Sequence, residues 1–153
     1  VLFLCENNQY GMSMASDKAV AGESIASRGN SYGIESIQID GNDVEAVFES
    51  VTSFKNEILA SNRPKFIEAV TYRYRGHSKS DRNLYRTSDE IEYWKEEKDP
   101  IKRFIGKLIE SGVTEEKLKE IDEGVKELIR DSVKKALDSP MSPVTNLEED
   151  SYA

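Results

Sequence analysis

The chain of 153 residues carries 29 acidic and 21 basic side chains, a formal net charge of -8, with 37% hydrophobic and 33% charged residues. That length supports one ordinary domain with a real core, and the acid excess argues against a general nucleic-acid binder, which needs a broad basic face. No apolar run approaches the roughly 18 to 20 residues that cross a bilayer and no leader pattern is present, so the expected location is cytoplasmic; one cysteine and one histidine exclude a disulfide framework and a Cys/His zinc site.

The chain opens with VLFLCENN, an apolar run ending in polar residues, which reads as a buried parallel strand. Cys5, inside that run, reads as a structural thiol. Glu6-Asn7-Asn8-Gln9-Tyr10-Gly11 follows at once, where a parallel sheet binds its ligands. An Asn side-chain oxygen there, with a backbone carbonyl near Gly11, could ligate a hard cation such as magnesium; the plain alternative is a polar turn. Ala19 to Arg28 is a weaker helix candidate, closed by Gly29-Asn30.

Ser36 to Asp40 predicts a second strand, after which Asn42 offers an N-cap with Glu45 three positions on. Val44, Val47, Phe48, Val51, Phe54 and Ile58 give that helix an apolar stripe ending near Pro64. Lys65 to Arg73 predicts a third strand. Strand, amphipathic helix, strand is the parallel α/β signature.

The next stretch, TYRYRGHSKSDRNLYRT at Thr71 to Thr87, has a local charge of about +4 in a chain of opposite sign and surrounds the single histidine, His77. Its guanidinium and hydroxyl groups read as a receptor for an anion, most simply phosphate. A solvated loop is the alternative. If all three strands run parallel, this loop and the Asn pair emerge at one edge, and a magnesium diphosphate would suit both. Thr87 with Glu90 makes a capping box for a helix to about Lys98, in which Tyr93 and Trp94 read as packing residues. Asp99-Pro100 restarts a helix that stops at Gly112, and Thr114 to Asp138 predicts the longest helix, striped with Leu118, Ile121, Val125, Leu128 and Ile129 and ended by Pro140 and Pro143. Residues 1–87 are expected to form part of an α/β domain, and residues 88–153 a helical C-terminal extension packed on it.

The segments CENNQYGMSM at Cys5, DGND at Asp40, TYRYRGHSKSDRNLYRTSDEI at Thr71, DPIKRF at Asp99 and the closing LEEDSYA together resemble the alpha subunit of the thiamine-diphosphate-dependent dehydrogenases. These are the first components of the pyruvate, acetoin and branched-chain 2-oxo acid dehydrogenase complexes. The resemblance implies a thiamine-diphosphate-binding α/β fold, with thiamine diphosphate and Mg2+ as cofactors. It implies an oxidoreductase acting on an oxo group with a lipoyl disulfide as acceptor, an alpha2beta2 assembly with a beta subunit, and a lipoyl-bearing second component. By position, Asn8 through its side chain and Tyr10 through its carbonyl should hold the metal. His77 should contact the diphosphate as the catalytic-site residue, joined by Arg73 and Ser78, while Asp81, Tyr85 and Arg86 order the loop. Ser78 matches a serine modified by regulatory kinases in mitochondrial relatives.

The spacing of GHSKSD and YRT looks most like acetoin dehydrogenase, with pyruvate dehydrogenase next. The family's Gly-Asp-Gly, which supplies a carboxylate to the metal, is absent from the sequence, which opens in mid-strand. The 153 residues are therefore expected to be a piece of a longer chain, inactive alone. A reading of another class is a non-catalytic docking module whose acidic helix, Thr114 to Asp138, binds a basic partner.

Overall fold

A computed structural model describes residues 1–144, so the LEEDSYA segment lies outside the described residues. The chain divides into two compact units, Val1–Leu108 and Ile109–Ala153. In the first, strand β1 (Leu2–Asn7) is followed by a two-stranded antiparallel ribbon, β2 (Tyr10–Gly11) and β3 (Met14–Ala15). Helices α1 (Ser16–Ala19) and α2 (Ala26–Ser31) lead to strand β4 (Glu35–Asp40), helix α3 (Val44–Ser61) and strand β5 (Lys65–Val70). The main sheet is parallel in the order β1-β5-β4, which makes the molecule α/β.

Because β5 lies between two neighbours, it is the buried strand: Lys65, Ile67, Glu68 and Ala69 are all inaccessible to solvent or nearly so. Strand β1 is an edge instead, and Phe3 and Leu4 remain 46% and 54% exposed. Its apolar run predicts burial on both faces, which the described residues do not supply. One face of the sheet takes α3, where Phe54 is buried and Lys65, lying 4.9 Å above its ring, bridges Glu35 and Glu57. The other face takes α2, whose Ala26 and Gly29 are buried against it.

Two local expectations are corrected. The single helix expected over Ala19–Arg28 is split in two, because the chain adopts a left-handed conformation at Gly22 (φ +107°) that no helix interior accepts. The cap of α3 is Asp43, not Asn42: its carboxylate accepts from the Glu45 and Ala46 amides at 3.1 and 3.2 Å. Asn42 is buried and committed elsewhere, donating to the Lys98 carbonyl at 2.8 Å and accepting from the Thr71 hydroxyl at 2.7 Å.

After the basic loop come α4 (Ser88–Glu96) and α5 (Pro100–Glu110), the latter capped by the Asp99 carboxylate at 2.9 and 3.0 Å from the Ile101 and Lys102 amides. Arg103 and Lys107 of α5 reach Asp40, Asp43 and Glu45, pinning it to the end of β4 and the start of α3. The second unit is dominated by α6 (Glu115–Asp138), capped by Thr114, with Ile121, Val125, Leu128 and Ile129 all exposed. Among the described residues no helix is long and apolar enough to cross a membrane.

Candidate functional site

The register of the sheet brings the two polar segments together. Asn7 ends β1 opposite Val70 of β5, and the Thr71 amide donates to the Asn7 carbonyl at 2.8 Å, so the amide turn and the basic loop leave the same carboxyl edge. This is the edge at which open parallel sheets bind ligands.

The turn is built by its own side chains. Asn7 Oδ1 accepts from the Gln9 amide at 3.1 Å and Asn8 Oδ1 from the Tyr10 amide at 3.2 Å, while Gln9 takes a positive φ of 73°. The Asn7 side-chain nitrogen donates to Glu68 at 2.7 Å. Asn8 thus presents a neutral oxygen with a lone pair to spare, the ligand type a hard cation accepts. Among the described residues no group of three or more His, Cys, Asp or Glu is arranged to hold a metal.

Asp81 organises the basic loop. Its carboxylate accepts from the His77 amide at 2.7 Å, the Asn83 amide at 2.8 Å and the Tyr85 hydroxyl at 2.8 Å. The Asn83 amide first, then the His77 amide and Tyr85 hydroxyl, hold its carboxyl down at about 2, against an ordinary 3.8. Gly76 permits this approach, since a Cβ there would lie 2.7 Å from Asp81 Cβ and 3.0 Å from its carbonyl oxygen.

Arg86, only 8% exposed, spends its guanidinium on the loop's backbone: it donates to the carbonyls of Arg73 and Tyr74 and to Asn83 Oδ1. Three tyrosine rings surround it, with centroids 5.7 Å (Tyr10), 5.3 Å (Tyr72) and 5.7 Å (Tyr85) from the guanidinium carbon.

Tyr10 ties the turn to this cluster. Its hydroxyl and that of Tyr72 both donate to Glu90 Oε1 at 2.8 Å. Burial, followed by that hydrogen bond, pushes the Tyr10 phenol up to about 12. Glu90 therefore serves only half a capping box: its amide donates to Thr87 Oγ1 at 3.1 Å, but its carboxylate turns away to the tyrosines. Trp94 stacks on Tyr72 with centroids 5.0 Å apart.

Arg73 and His77 stand together on the loop side of the site. One Arg73 terminal nitrogen donates to the Met12 carbonyl at 2.6 Å and the Tyr85 hydroxyl at 3.2 Å; the other lies 3.4 Å from His77 Nδ1. Among the described residues Arg73 Nε is buried without a partner, an N–H that an incoming anion oxygen could satisfy. Beside it, a depression of about 410 Å³ is lined by His77, Ser78, Ser80, Tyr85, Met12 and Ser13 among others. Ser78 stands at its exposed rim, 3.2 Å from the Ser80 hydroxyl.

Glu68 and Glu90 have roles in this neighbourhood that the motifs do not reveal. A single acid inside the apolar run FIEAV is the sequence signal for Glu68. The signal for Glu90 points to capping and so conceals its other role.

The parallel α/β sheet thus brings an amide turn and a basic loop to the carboxyl edge, where such sheets bind ligands. Residues 1–145 match the family described as Dehydrogenase E1 component, and the chain belongs to that family. It is 37% identical over 151 residues to the pyruvate dehydrogenase E1 component subunit alpha of Rhizobium meliloti (strain 1021), covering 98% of this chain and 43% of that protein. It is 41% identical over 154 residues to the Ascaris suum mitochondrial pyruvate dehydrogenase E1 component subunit alpha type I, covering 99% and 38%. With the human mitochondrial 2-oxoisovalerate dehydrogenase subunit alpha it shares 42% identity over 113 residues, 73% of this chain and 25% of the relative. The chain thus spans less than half the length of these relatives.

Proposed function

We propose that this chain forms part of the alpha subunit of a thiamine-diphosphate-dependent 2-oxo acid dehydrogenase, with pyruvate as the substrate. The observation that carries this reading is the buried Arg73 Nε, unpartnered among the described residues, beside His77 and on the same sheet edge as the Asn7-Asn8 turn. When bound, thiamine diphosphate supplies the electron sink for cleaving the bond next to the oxo group. This chain's own residues grip the cofactor's charged end: Arg73, His77 and Ser78 receive diphosphate oxygens. The Asn8 side chain and the Tyr10 carbonyl serve the Mg2+. Asp81, Tyr85 and Arg86 hold the loop in place while this occurs. A beta subunit completes the assembly, and a lipoyl-bearing second component takes the acyl group.

The relatives named for pyruvate match 98% and 99% of this chain against 73% for the one named for 2-oxoisovalerate, which supports pyruvate ahead of a branched-chain 2-oxo acid, and the names favour both over the acetoin expected from loop spacing. The test is turnover of pyruvate, 2-oxoisovalerate and acetoin by the full-length chain assembled with its beta subunit, with and without thiamine diphosphate. Cofactor-dependent use of pyruvate supports the reading; preference for another substrate reassigns it; cofactor-independent or absent turnover of all three overturns it.

A further inference from the structure

We infer that Glu68 is a positioning residue for the amide turn, acting on Asn8 and Tyr10 through the side chain of Asn7. Glu68 sits at the middle of the central strand and is 0% exposed. A carboxylate in such a place is costly unless its oxygens are satisfied. Both are satisfied, and by neutral donors: Oε1 by the Asn7 side-chain amide at 2.7 Å and Oε2 by the Ala26 backbone amide at 2.8 Å.

The carboxylate dictates which way the Asn7 amide faces. With its NH2 group directed at Glu68, Asn7 must direct its oxygen at the Gln9 amide, 3.1 Å away. Flipped, it would set its oxygen against a carboxylate and its NH2 against an N–H, a clash of like groups on both sides. The Asn7–Gln9 contact closes the turn in which Gln9 takes its positive φ, and that turn delivers the Tyr10 amide to Asn8 Oδ1. Glu68 touches neither Asn8 nor Tyr10, yet it fixes the orientation of both. The same carboxylate holds the start of α2, so the turn and that helix share one anchor.

This inference rests on the cofactor reading above, and the experiment separates the two. In the full-length chain assembled with its beta subunit, thiamine diphosphate binding is measured by calorimetry across a Mg2+ titration, for the parent and for Glu68→Gln, Asn7→Ala and the double variant. Gln offers one acceptor and one donor where two acceptors are needed, so Glu68→Gln should raise the Mg2+ concentration for half-maximal binding by about 10- to 100-fold, the usual cost of losing an outer-shell partner. Asn7→Ala should do the same, and the double variant should be no worse than the worse single variant. A folded Glu68→Gln with the parent's Mg2+ requirement overturns the inference, as do strictly additive effects. If Glu68→Gln does not fold, Asn7→Ala decides by the same criterion. Hydrogen exchange at the Gln9 and Tyr10 amides, measured without cofactor, supplies an arm that stands apart: Glu68→Gln should speed it at least tenfold, and unchanged exchange overturns the inference. A parent that fails to bind thiamine diphosphate would sink the cofactor reading alone, leaving exchange to judge Glu68.

Discussion

Asp81 and Arg86 show how a loop rich in like charge keeps one shape. Each uses its charge on backbone groups of the loop itself rather than on a counter-ion. The Asp81 carboxyl is depressed in the folded chain, so its stabilising contribution is present above the unfolded value of 3.8 and is lost as pH falls through the folded value of about 2. Exchange protection of the His77 and Asn83 amides should accordingly hold above pH 3.8 and collapse toward about pH 2, and Asp81→Asn should weaken it at neutral pH; pH-resolved hydrogen exchange checks both. Arg86→Lys keeps the charge but has one nitrogen where Arg86 spreads its hydrogen bonds over three, and we expect a loss of about 2 to 3 kcal/mol in urea unfolding, since buried hydrogen bonds to a charged group are each worth about 1.5 to 3. Gly76→Ala drives a methyl group into Asp81 and should abolish the loop's order, read as loss of thiamine diphosphate binding by the full-length protein.

At the scale of elements, the sequence shows what repeats and hides what depends on distant partners. Strand β4, helix α3 and strand β5 are legible because their apolar periods are unbroken, and Thr87, Asp99 and Thr114 announce the helices they cap. The α3 cap is misread by one residue, as both Asn42 and Asp43 are capping types and only the pull of Thr71 and Lys98 on Asn42 decides between them. At the site, the Asn turn and the basic loop are visible as motifs, and their meeting at one edge follows from the strands being parallel. Glu68 and Glu90 are not visible, for their partners lie 42 or 61 and 18 or 80 residues away. Asp43→Ala should cost about 1 kcal/mol as a lost cap. It also takes one of two carboxylate partners from each of Arg103 and Lys107, leaving them Asp40 and Glu45, so α5 should show faster amide exchange than a cap loss alone would produce.

At the scale of the whole molecule, the grip proposed above for a phosphate cofactor is one-sided among the described residues: neutral oxygens for a cation, and Arg73 with His77 for an anion. The 153-residue chain on its own should therefore show no saturable thiamine diphosphate binding at micromolar concentration, a result that titration calorimetry reads directly. The edge strand β1 adds a consequence for handling the protein. Beside its exposed Phe3 and Leu4 runs a row of backbone groups that, among the described residues, pair on one side only. Such a border is a template for another copy's strand, so the isolated chain is prone to clump into sheet-rich aggregates, and a lysine placed at Phe3 is the cheapest way to keep it in solution.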